Sequence, residues 1–302
     1  MNVVTIGNFD GVHQGHRHLL RQCRKRAGTG GSVIVVTFEP HPSVILDPDN
    51  VRGSLSSVED RRDWLADAGA DQVVVIQTTR ELLQQAPREF LRTTLHPLDP
   101  GLLMEGPDFR FGFKRSGDLQ TLREDGHENG YEVEIIQKLH EGMDDQEEVI
   151  SSTRIRSLLE SGEVQQACVM LGRPYTIRGR VIQGARRGRE LGYPTANIDH
   201  GRMQLPGPGV YCGMVDLPSG DRCVGALSVG TNPTFGEDPL RCEAHLLDVD
   251  LPIDDYGWNI RVGFERMIRC QEVFQDGESL VRQIHQDIEM IRSWTQEVHP
   301  GR

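Results

Sequence analysis

The sequence predicts two domains, an α/β domain built on a parallel sheet followed by a smaller, mainly β domain. The first half of the chain alternates short apolar runs with helical patterns, and the second half contains many short strand patterns with little helix. A length of 302 residues suits two domains of ordinary size. With 37% hydrophobic and 26% charged residues, the chain has enough apolar material for two cores.

Short β-branched runs and helical patterns alternate through the first half. The predicted strands are Val3–Ile6, Val33–Phe38, Val73–Ile76, Leu102–Glu105 and Glu132–Ile136. The predicted helices between them are His16–Ala27, Val58–Ala68 and Pro87–Leu95. Strands separated by helices of this length form parallel sheets with right-handed crossovers. Ligands of such sheets bind beyond the carboxyl ends of the strands.

The second half begins with a helical stretch, Thr153–Leu171, and ends with another, Glu278–Glu297. Turns rich in Gly, Pro and Asp separate the predicted strands between them, which are Tyr175–Ile182, Val210–Val215, Cys223–Val229, Cys242–Leu247 and Asn259–Arg269. Many short strands at close spacing predict a small antiparallel barrel or sandwich, closed here by the C-terminal helix. The predicted domains are residues 1–171 and 172–302.

Charge and composition argue against several classes of partner. The formal net charge is −12, which disfavours a general nucleic-acid or anionic membrane surface. No apolar run approaches the roughly 20 residues of a membrane span, and no secretory signal is visible, so we expect a cytoplasmic protein. The six cysteines lack metal-site spacing and read as free thiols. Thirty of the 33 basic residues are arginine, so bound phosphates require local arginine clusters.

The first strand runs directly into G-N-F-D-G-V-H-Q-G-H, residues 7–16, where a helix begins. A helix N-terminus offers free backbone N–H groups and a positive dipole end, which favour a phosphate. His13 and His16 can donate hydrogen bonds to phosphate oxygens that gain charge during attack at phosphorus. The alternative is a glycine-rich loop with two surface histidines.

Three further segments fall at predicted strand or helix ends. They are T-F-E-P-H-P at 37–42, G-P-D-F-R-F-G at 106–112 and S-S-T-R-I-R at 151–156. The Ser and Thr residues of the last segment can cap a helix while its arginines face phosphates. Taken singly, the segments also fit a proline-rich turn, an aromatic turn and an ordinary helix cap. Their joint occurrence favours one phosphate-binding edge.

Together these motifs resemble the FMN adenylyltransferase module of the prokaryotic bifunctional riboflavin kinase/FAD synthetase family. That module belongs to the His-x-Gly-His nucleotidyltransferases, which have a Rossmann-like fold. The resemblance implies that His13 and His16 stabilise the ATP phosphates while the FMN phosphate attacks the α-phosphorus. It implies nucleotide or phosphate contacts for Gly7, Asn8, Phe9, Asp10, Gly15, Ser152, Thr153, Arg154 and Arg156. It implies that His41 and Asp108 line the flavin and adenine regions.

The second half contains no P-loop, but residues 184–198 read G-A-R-R-G-R-E-L-G-Y-P-T-A-N-I. A glycine- and arginine-rich loop is mobile and cationic, which suits polyphosphate. Thr195 and Asn197 are two residues apart, so on an extended segment both side chains face the same side. Neutral oxygen ligands beside phosphate oxygens suit Mg²⁺. A surface turn with a solvent-facing arginine cluster is the alternative.

This segment, together with P-G-V-Y, V-G-T-N-P-T-F-G and C-E-A-H-L-L-D, resembles the riboflavin kinase module of the same family. The resemblance implies that Thr195 and Asn197 bind Mg²⁺ and that Glu243 is the general base for the riboflavin 5′-hydroxyl. A carboxylate suits that role because an alcohol attacking phosphorus must lose its proton. The resemblance also implies ligand contacts for Gly184, Arg189, Thr231 and Asn232. The alternative for Glu243 is a strand carboxylate paired with Arg241.

We therefore expect an enzyme with two flavin activities and no nucleic-acid or membrane partner. The C-terminal domain would make FMN from riboflavin and ATP, and the N-terminal domain would make FAD and pyrophosphate from FMN and ATP, both with Mg²⁺. Two alternatives remain: a chain with one silent domain, and a non-catalytic flavin sensor. Retention of the residues that would handle phosphate argues against both.

Overall fold

The computed structural model describes residues 1–141, 148–184, 186–231, 240–249 and 255–298. The chain separates into two compact units, Met1–Ser152 and Thr153–Arg302. The predicted division at 171/172 lies further along the chain. The residues between the two positions pack with the second unit, where the Gly207 amide donates to the Leu159 carbonyl at 2.8 Å and the Cys168 thiol donates to the Phe264 carbonyl at 3.3 Å.

A five-stranded parallel sheet organises the first unit. Its strands are β1 (Asn2–Ile6), β2 (Ser32–Glu39), β3 (Gln72–Gln77), β4 (Pro100–Glu105) and β5 (Glu132–Ile135). Their order is β3-β2-β1-β4-β5, which confirms the predicted parallel α/β fold. The strands β2 and β3 are added on one side of β1, and β4 and β5 on the other, so the strand order switches between β1 and β4. The carboxyl edge at that switch point is where open α/β sheets bind ligands.

Helices cover the two faces of this sheet and bury separate apolar clusters. They are α1 (Gln14–Ala27), α2 (Ser43–Leu46), α3 (Val58–Asp67), α4 (Arg80–Gln84), α5 (Pro87–Phe90) and α6 (Leu119–Asn129). The sequence analysis missed α6, which begins at an Asp118 cap and ends at Gly130. The helix predicted over 87–95 is α-helical only to Phe90 and continues as a π turn. A two-stranded ribbon, β6 (His140–Glu141) with β7 (Glu148–Val149), follows.

The helical stretch predicted over 153–171 is two helices, α7 (Ser152–Glu160) and α8 (Val164–Leu171). The break falls at Gly162, whose φ of 81° is a left-handed conformation. Glycine adopts it without a Cβ clash, whereas a helix interior requires the right-handed one. The apolar periodicity continues across this break, which explains why the pattern predicted one helix.

A closed antiparallel barrel forms the second unit. Its strands are β8 (Tyr175–Ile182), β9 (Ala196–Asp199), β10 (Gly209–Asp216), β11 (Arg222–Gly230), β12 (Arg241–Leu246), β13 (Asn259–Phe264) and β14 (Arg266–Cys270). The order β10-β11-β12-β9-β8-β13 closes because β10 pairs with both β11 and β13. Closure decides between the barrel and sandwich alternatives. The strand predicted over 259–269 bends at Glu265 into β13 and β14, and both halves pair with β10.

Two helices complete the barrel unit, the short α9 (Arg187–Glu190) and the long α10 (Gly277–Val298). The helix α10 packs Ile291 against Cys212 and Leu247 of the barrel. The Arg269 guanidinium of β14 donates to both oxygens of Asp287 on α10, at 2.9 and 3.0 Å. This largely buried ion pair sets the position of α10 on the barrel wall.

Candidate active sites

The loop between β1 and α1 is held by its own apolar side chains. Phe9, Gly11 and Val12 have φ values of 48°, 78° and 36°, in the left-handed region. Phe9 and Val12 are nevertheless buried, and the Val12 amide donates to the Phe9 carbonyl at 3.0 Å. Burial of these two side chains compensates for a backbone conformation that non-glycine residues rarely adopt. The loop is therefore fixed before any ligand arrives.

The two predicted catalytic histidines lie together at the start of α1. Nδ1 of His13 accepts a hydrogen bond from the His16 amide at 3.3 Å, so His13 caps the helix. The two imidazole rings stack with centroids 3.6 Å apart, and the Phe9 ring meets His16 edge-on at 5.0 Å. Because Nδ1 of His13 accepts, a neutral ring carries its proton on Nε2, which makes Nε2 a donor. The arrangement offers hydrogen-bond donors beside a helix N-terminus, as phosphate recognition requires.

Glycines let these rings lie close to the backbone. A Cβ on Gly15 would lie 3.2 Å from the His13 ring and 3.4 Å from the Ile150 carbonyl. A Cβ on Gly7 would lie 3.1 Å from the Phe9 ring. Both glycines thus make room for the rings in addition to the phosphate contacts predicted for them.

Asp10 has a different set of contacts from those predicted. Its buried carboxylate accepts hydrogen bonds from the Leu55 amide at 3.0 Å, the Ser56 amide at 3.1 Å and the Ser56 hydroxyl at 2.8 Å. The Ser152 hydroxyl donates to the Asp10 carbonyl at 2.9 Å. These bonds join two separate segments, at Leu55–Ser56 and at Ser152, to the histidine loop. The carboxylate is therefore engaged within the protein, and the predicted nucleotide contact stays a prediction.

Asn8 is held from β2, and a buried arginine supports the same edge. The Thr37 hydroxyl donates to the Asn8 carbonyl at 2.9 Å. Arg61 of α3, only 2% exposed, donates to the Phe38 carbonyl at 2.8 Å and to Glu39 at 3.1 Å. The sequence analysis missed Arg61 because one arginine in an amphipathic helix carries no signal of burial. It ties α3 to the carboxyl end of β2.

His41 and Asp108 follow β2 and β4, the two neighbours of β1, and so lie at the carboxyl edge. Nδ1 of His41 lies 2.7 Å from the Ser43 hydroxyl. Asp108 forms an exposed ion pair with Lys138, whose hydrogen bond lowers the pKa of the Asp108 carboxyl. The predicted flavin and adenine contacts of His41 and Asp108 stay predictions.

The predicted second phosphate clamp lies at the start of α7. The Ser152 hydroxyl is bound to the histidine loop through the Asp10 carbonyl, and the phosphate contact predicted for Ser152 stays a prediction. Thr153 is exposed, whereas Arg156 is only 8% exposed. The phosphate contacts predicted for Thr153, Arg154 and Arg156 stay predictions.

In the second unit, the predicted catalytic and metal-binding residues line up across adjacent strands. Asn197 of β9 lies directly opposite Glu243 of β12, which in turn lies opposite Ser228 of β11. Directly opposite residues project from the same face of a sheet. The Thr195 hydroxyl, just before β9, donates to Glu243 at 2.9 Å. A carboxylate, a hydroxyl and an amide thus meet on one face of the barrel.

The glycine-rich loop lies against this row. A Cβ on Gly184 would come within 2.1 Å of the Asn197 amide nitrogen, so a larger residue would have to displace Asn197 or the loop. A Cβ on Gly188 would come within 2.4 Å of the Tyr193 carbonyl, and the Tyr193 amide donates to the Gly188 carbonyl at 2.7 Å. The predicted loop therefore packs on the side chain predicted to bind a metal.

A cavity of about 340 Å³ opens over the row. Thr195, Asn197, Glu243 and Thr231, all predicted, contribute to its lining. Its lining also includes residues that the sequence analysis did not assign to a site: Arg186, Ser228, Arg241, Gln271 and Leu280. Arg241 could have been found, because it lies two residues before Glu243 on the same strand and so on the same face. Gln271 and Leu280 carry no local signal.

Two other predicted residues of this unit, Arg189 and Asn232, are not among the described residues that line the cavity. Within the described part of the loop, Arg186 lines the cavity and Arg189 does not. Asn232 lies outside the described residues, which resume at 240. Thr231, the last described residue before it, is held by Gln271, whose side-chain amide donates to the Thr231 carbonyl at 3.4 Å.

The lining of the cavity can be tested for the oxygen donors that a phosphate-bound cation would need. No cluster of three or more His, Cys, Asp or Glu side chains suited to a metal occurs among the residues that the structure describes. Thr195, Asn197 and Glu243 instead supply three oxygen donors. Such hard ligands suit Mg²⁺, which keeps waters and shares substrate phosphates rather than entering an all-protein cage.

Burial raises the pKa of Cys212 to about 12, and that of Cys168 to about 11, so both remain neutral thiols.

A histidine pair at a helix N-terminus in one unit and a carboxylate-bearing polar cavity in the other define a two-site transferase of phosphate chemistry. A family model described as FAD synthetase matches residues 1–154, and one described as riboflavin kinase matches residues 171–295. The chain belongs to the bifunctional riboflavin kinase/FMN adenylyltransferase family.

Individual relatives agree with that assignment. The Escherichia coli K12 bifunctional riboflavin kinase/FMN adenylyltransferase is 35% identical over 288 residues, which cover 94% of this chain and 90% of the relative. The Haemophilus influenzae enzyme of the same name is 36% identical and covers 96% and 93%. A solved structure named macrolide-efflux protein, from Streptococcus pneumoniae, superposes with a TM-score of 0.84 at 30% identity, covering 97% and 94%. In the described part of the present chain, no helix is long and apolar enough to cross a membrane.

Proposed function

We propose that the chain phosphorylates riboflavin to FMN in the barrel unit and adenylylates FMN to FAD in the α/β unit, using ATP in both steps. The observation that carries the proposal is the coincidence of two findings. Each half matches one of the two enzymes of the family, and each unit brings the side chains suited to that enzyme's chemistry into contact.

In the barrel unit, the proposed reaction is attack by the riboflavin 5′-hydroxyl on the γ-phosphorus of ATP. Glu243 accepts the hydroxyl proton as the new oxygen–phosphorus bond forms, and the bond to the bridging oxygen breaks to release ADP. The Thr195 hydroxyl orients the Glu243 carboxylate by occupying one of its oxygens. Arg186 and Arg241 place positive charge around the same cavity, which favours the phosphates.

In the α/β unit, a phosphate oxygen of FMN attacks the α-phosphorus of ATP, and pyrophosphate leaves. The protein supplies no nucleophile, so its contribution is to position the reactants and stabilise charge. His13 and His16 donate hydrogen bonds to the phosphate oxygens that gain charge. The N-terminus of α1, which carries no acidic residue in its first turn, adds the positive end of its dipole to the same region.

We further propose that Mg²⁺ serves the kinase cavity, with Thr195 and Asn197 as its protein ligands and Glu243 left to act as the base. When bound, the ion neutralises charge on the phosphates. We also propose that the protein works in the cytoplasm. Its six cysteines, all within the described residues, are free thiols, which is the usual state in a reducing compartment.

The test is to incubate the pure protein with ATP, Mg²⁺ and riboflavin, or FMN, and to separate the flavins by chromatography. We expect riboflavin to give FMN and then FAD. Accumulation of FMN alone would refute the adenylyltransferase assignment. FAD from added FMN, without product from riboflavin, would refute the kinase assignment. Flavin binding without product from either substrate would favour a sensor.

A further inference from the structure

The carboxyl end of β1 has different partners on its two sides. Towards β2, the ladder continues to Ile6 opposite Val36, and the Gly7 amide donates to the Val36 carbonyl at 3.0 Å. Towards β4, the ladder ends at Val4 opposite Leu103. The sheet therefore changes its bonding on the β4 side just before the histidine loop, at the switch point of the fold.

A side chain takes over where that ladder ends. The Ile6 amide donates to Oε1 of Glu105 at 2.6 Å. Glu105 is only 2% exposed, and its own carbonyl accepts from the Ile136 amide at 2.8 Å. Its backbone is thus fixed to the end of β5, and its carboxyl group reaches across to the end of β1.

The carboxyl group of Glu105 lies in surroundings that favour its neutral form. Burial raises its pKa well above the usual range, and the Ile6 amide and the Thr5 hydroxyl oppose this shift without cancelling it. The Cys23 thiol of α1 is a titratable group that interacts with Glu105, and Glu134 of β5, which pairs with Arg26, interacts with the same thiol. No described cation forms an ion pair with Glu105. A buried acid without a cation remains protonated rather than bearing an unpaired charge.

We propose that Glu105 is a positioning residue for adenylyl transfer, in which its carboxyl group holds the end of β1 and thereby the loop that presents His13 and His16. The inference rests on the proposed function of the α/β unit. Ile6 is followed directly by the Gly7–His16 segment, so a loss of its anchor moves the start of that loop. A carboxyl group suits this place because it accepts from the Ile6 amide at the point where the ladder between β1 and β4 has ended. An apolar side chain would leave that buried amide without the acceptor.

The experiment compares three variants of the full chain. Glu105→Gln keeps an oxygen acceptor and removes the titration, whereas Glu105→Met keeps the length and removes the acceptor. Glu132→Met, at an exposed position on neighbouring β5, is the matched control. For each variant we would measure kcat and KM for FAD formation from FMN and ATP, and the rate of FMN formation from riboflavin. The second reaction serves as an internal control because it takes place in the other unit.

We expect Glu105→Met to lower kcat for adenylyl transfer about tenfold, which corresponds to the loss of one buried hydrogen bond, with KM for ATP nearly unchanged. Glu105→Gln and Glu132→Met should retain the wild-type rate, and all three should retain riboflavin kinase activity. A wild-type adenylyl-transfer rate in Glu105→Met would overturn the proposal, as would equal losses in Glu105→Met and Glu105→Gln.

If Glu105→Met loses both activities, the proposal is tested instead by comparing the pH profiles of the wild type and Glu105→Gln. Ionisation would bury an unpaired charge beside the end of β1 and so disturb this region, even though a carboxylate accepts more strongly than the neutral acid. Wild-type adenylyl transfer should therefore decline with rising pH, whereas the Gln variant should decline less. Identical profiles would overturn the proposal.

Stability provides a second readout. A raised native pKa means that the folded state binds more protons, so the wild type loses stability relative to Glu105→Gln as pH rises above about 4.3, the ordinary glutamate pKa. A difference in melting temperature that stays constant with pH would overturn the assignment of a neutral acid.

Hydrogen exchange separates this inference from the proposed activity. At one fixed pH, amides in a peptide covering Asn2–Gly15 should exchange faster in Glu105→Met than in the wild type or Glu105→Gln. If the wild type made no FAD from FMN, the proposed function would fail, and exchange would still report whether Glu105 anchors the loop. Equal exchange in all three proteins would overturn the anchor itself.

Discussion

The two units build their sites in different ways. In the α/β unit, the stacked histidines lie three residues apart in one loop-to-helix segment, which follows the central strand of the sheet. In the barrel unit, Thr195, just before β9, and Glu243 of β12 meet only because β9 and β12 are neighbours. The first site is local in sequence, whereas the second depends on the pairing of distant strands.

This difference determines where each site is sensitive to change. A local site is positioned by the segments that anchor its loop, such as Ser56 and Ser152 around Asp10. A site assembled across strands is positioned by register and by close backbone approach, as at Gly184. Because the sites belong to separate compact units, we expect variants in one unit to leave the chemistry of the other intact.

The largest expected effect comes from removing the base of the kinase cavity. Glu243→Ala should lower the rate of riboflavin phosphorylation by a factor of about 10²–10⁴, the usual contribution of a positioned general base. FAD formation from supplied FMN should be unchanged. Both rates are measured by flavin chromatography, with the exposed Glu272→Ala as the control. Equal losses in both reactions would contradict the independence of the two sites.

Removal of one stacked histidine is the converse test. His16→Ala should lower FAD formation from FMN by a factor of about 10²–10³, because a donor to the charged transition state is lost. Riboflavin phosphorylation should continue at the wild-type rate. His18→Ala, two residues further along α1, is the matched control. An undiminished rate of FAD formation in His16→Ala would exclude that histidine from the mechanism.

A single methyl group tests the packing of the glycine-rich loop. Gly184→Ala places a Cβ within 2.1 Å of the Asn197 amide nitrogen and must displace the loop or Asn197. Since small misplacements in an active site cost up to about 10²-fold, we expect a loss of kinase rate between about tenfold and that limit. Gly30→Ala, whose Cβ would meet no atom within 4 Å, is the control. Full kinase activity in Gly184→Ala would show that the loop packing is not needed.

The smallest effect is expected at the amino edge of the parallel sheet. The Asp71 carboxylate accepts from the Val33 amide at 2.7 Å and pairs with Arg24, and these two contacts, in that order, lower its pKa. Asp71→Asn should leave both activities unchanged. The carboxylate is about half exposed, so solvent screening limits the loss of stability to well under about 1 kcal/mol.

The pH dependence of this small effect has a defined sign. A lowered native pKa stabilises the fold above about pH 4, the ordinary aspartate pKa, and that contribution disappears as pH falls through the native value. The difference in melting temperature between wild type and Asp71→Asn should therefore shrink in acid. A loss of adenylyl transfer in this variant would contradict the assignment of chemistry to the carboxyl edge alone.

Local patterns predicted most of the fold. All five parallel strands coincide with β-branched or apolar runs, and the helix that follows β1 is signalled by its glycine- and histidine-containing start. The failures have physical causes. Gly162 breaks a helix whose apolar periodicity continues, and Glu265 bends a strand whose composition does not change. The polar helix α6 lacked a strong apolar pattern and was missed.

Whether a site residue was predicted or missed also has a physical cause. His13, His16, Thr195, Asn197 and Glu243 were found because motifs resembling known modules mark them. Arg61, Gln271 and Leu280 were missed because the burial or cavity position of a side chain depends on distant segments. Asp10 was found by its motif, but its partners, Leu55 and Ser56, could not be read from the sequence.

The sequence by itself determined the two-unit order, the parallel and antiparallel classes of sheet, and the residue types available for phosphate chemistry, because these follow from periodicity and from contiguous motifs. The tertiary structure alone decided that the barrel closes, that Glu243 meets Thr195, and that Glu105 anchors the end of β1. Each of these contacts joins residues far apart in the chain. Register and burial bring them together, and neither is encoded in any short segment.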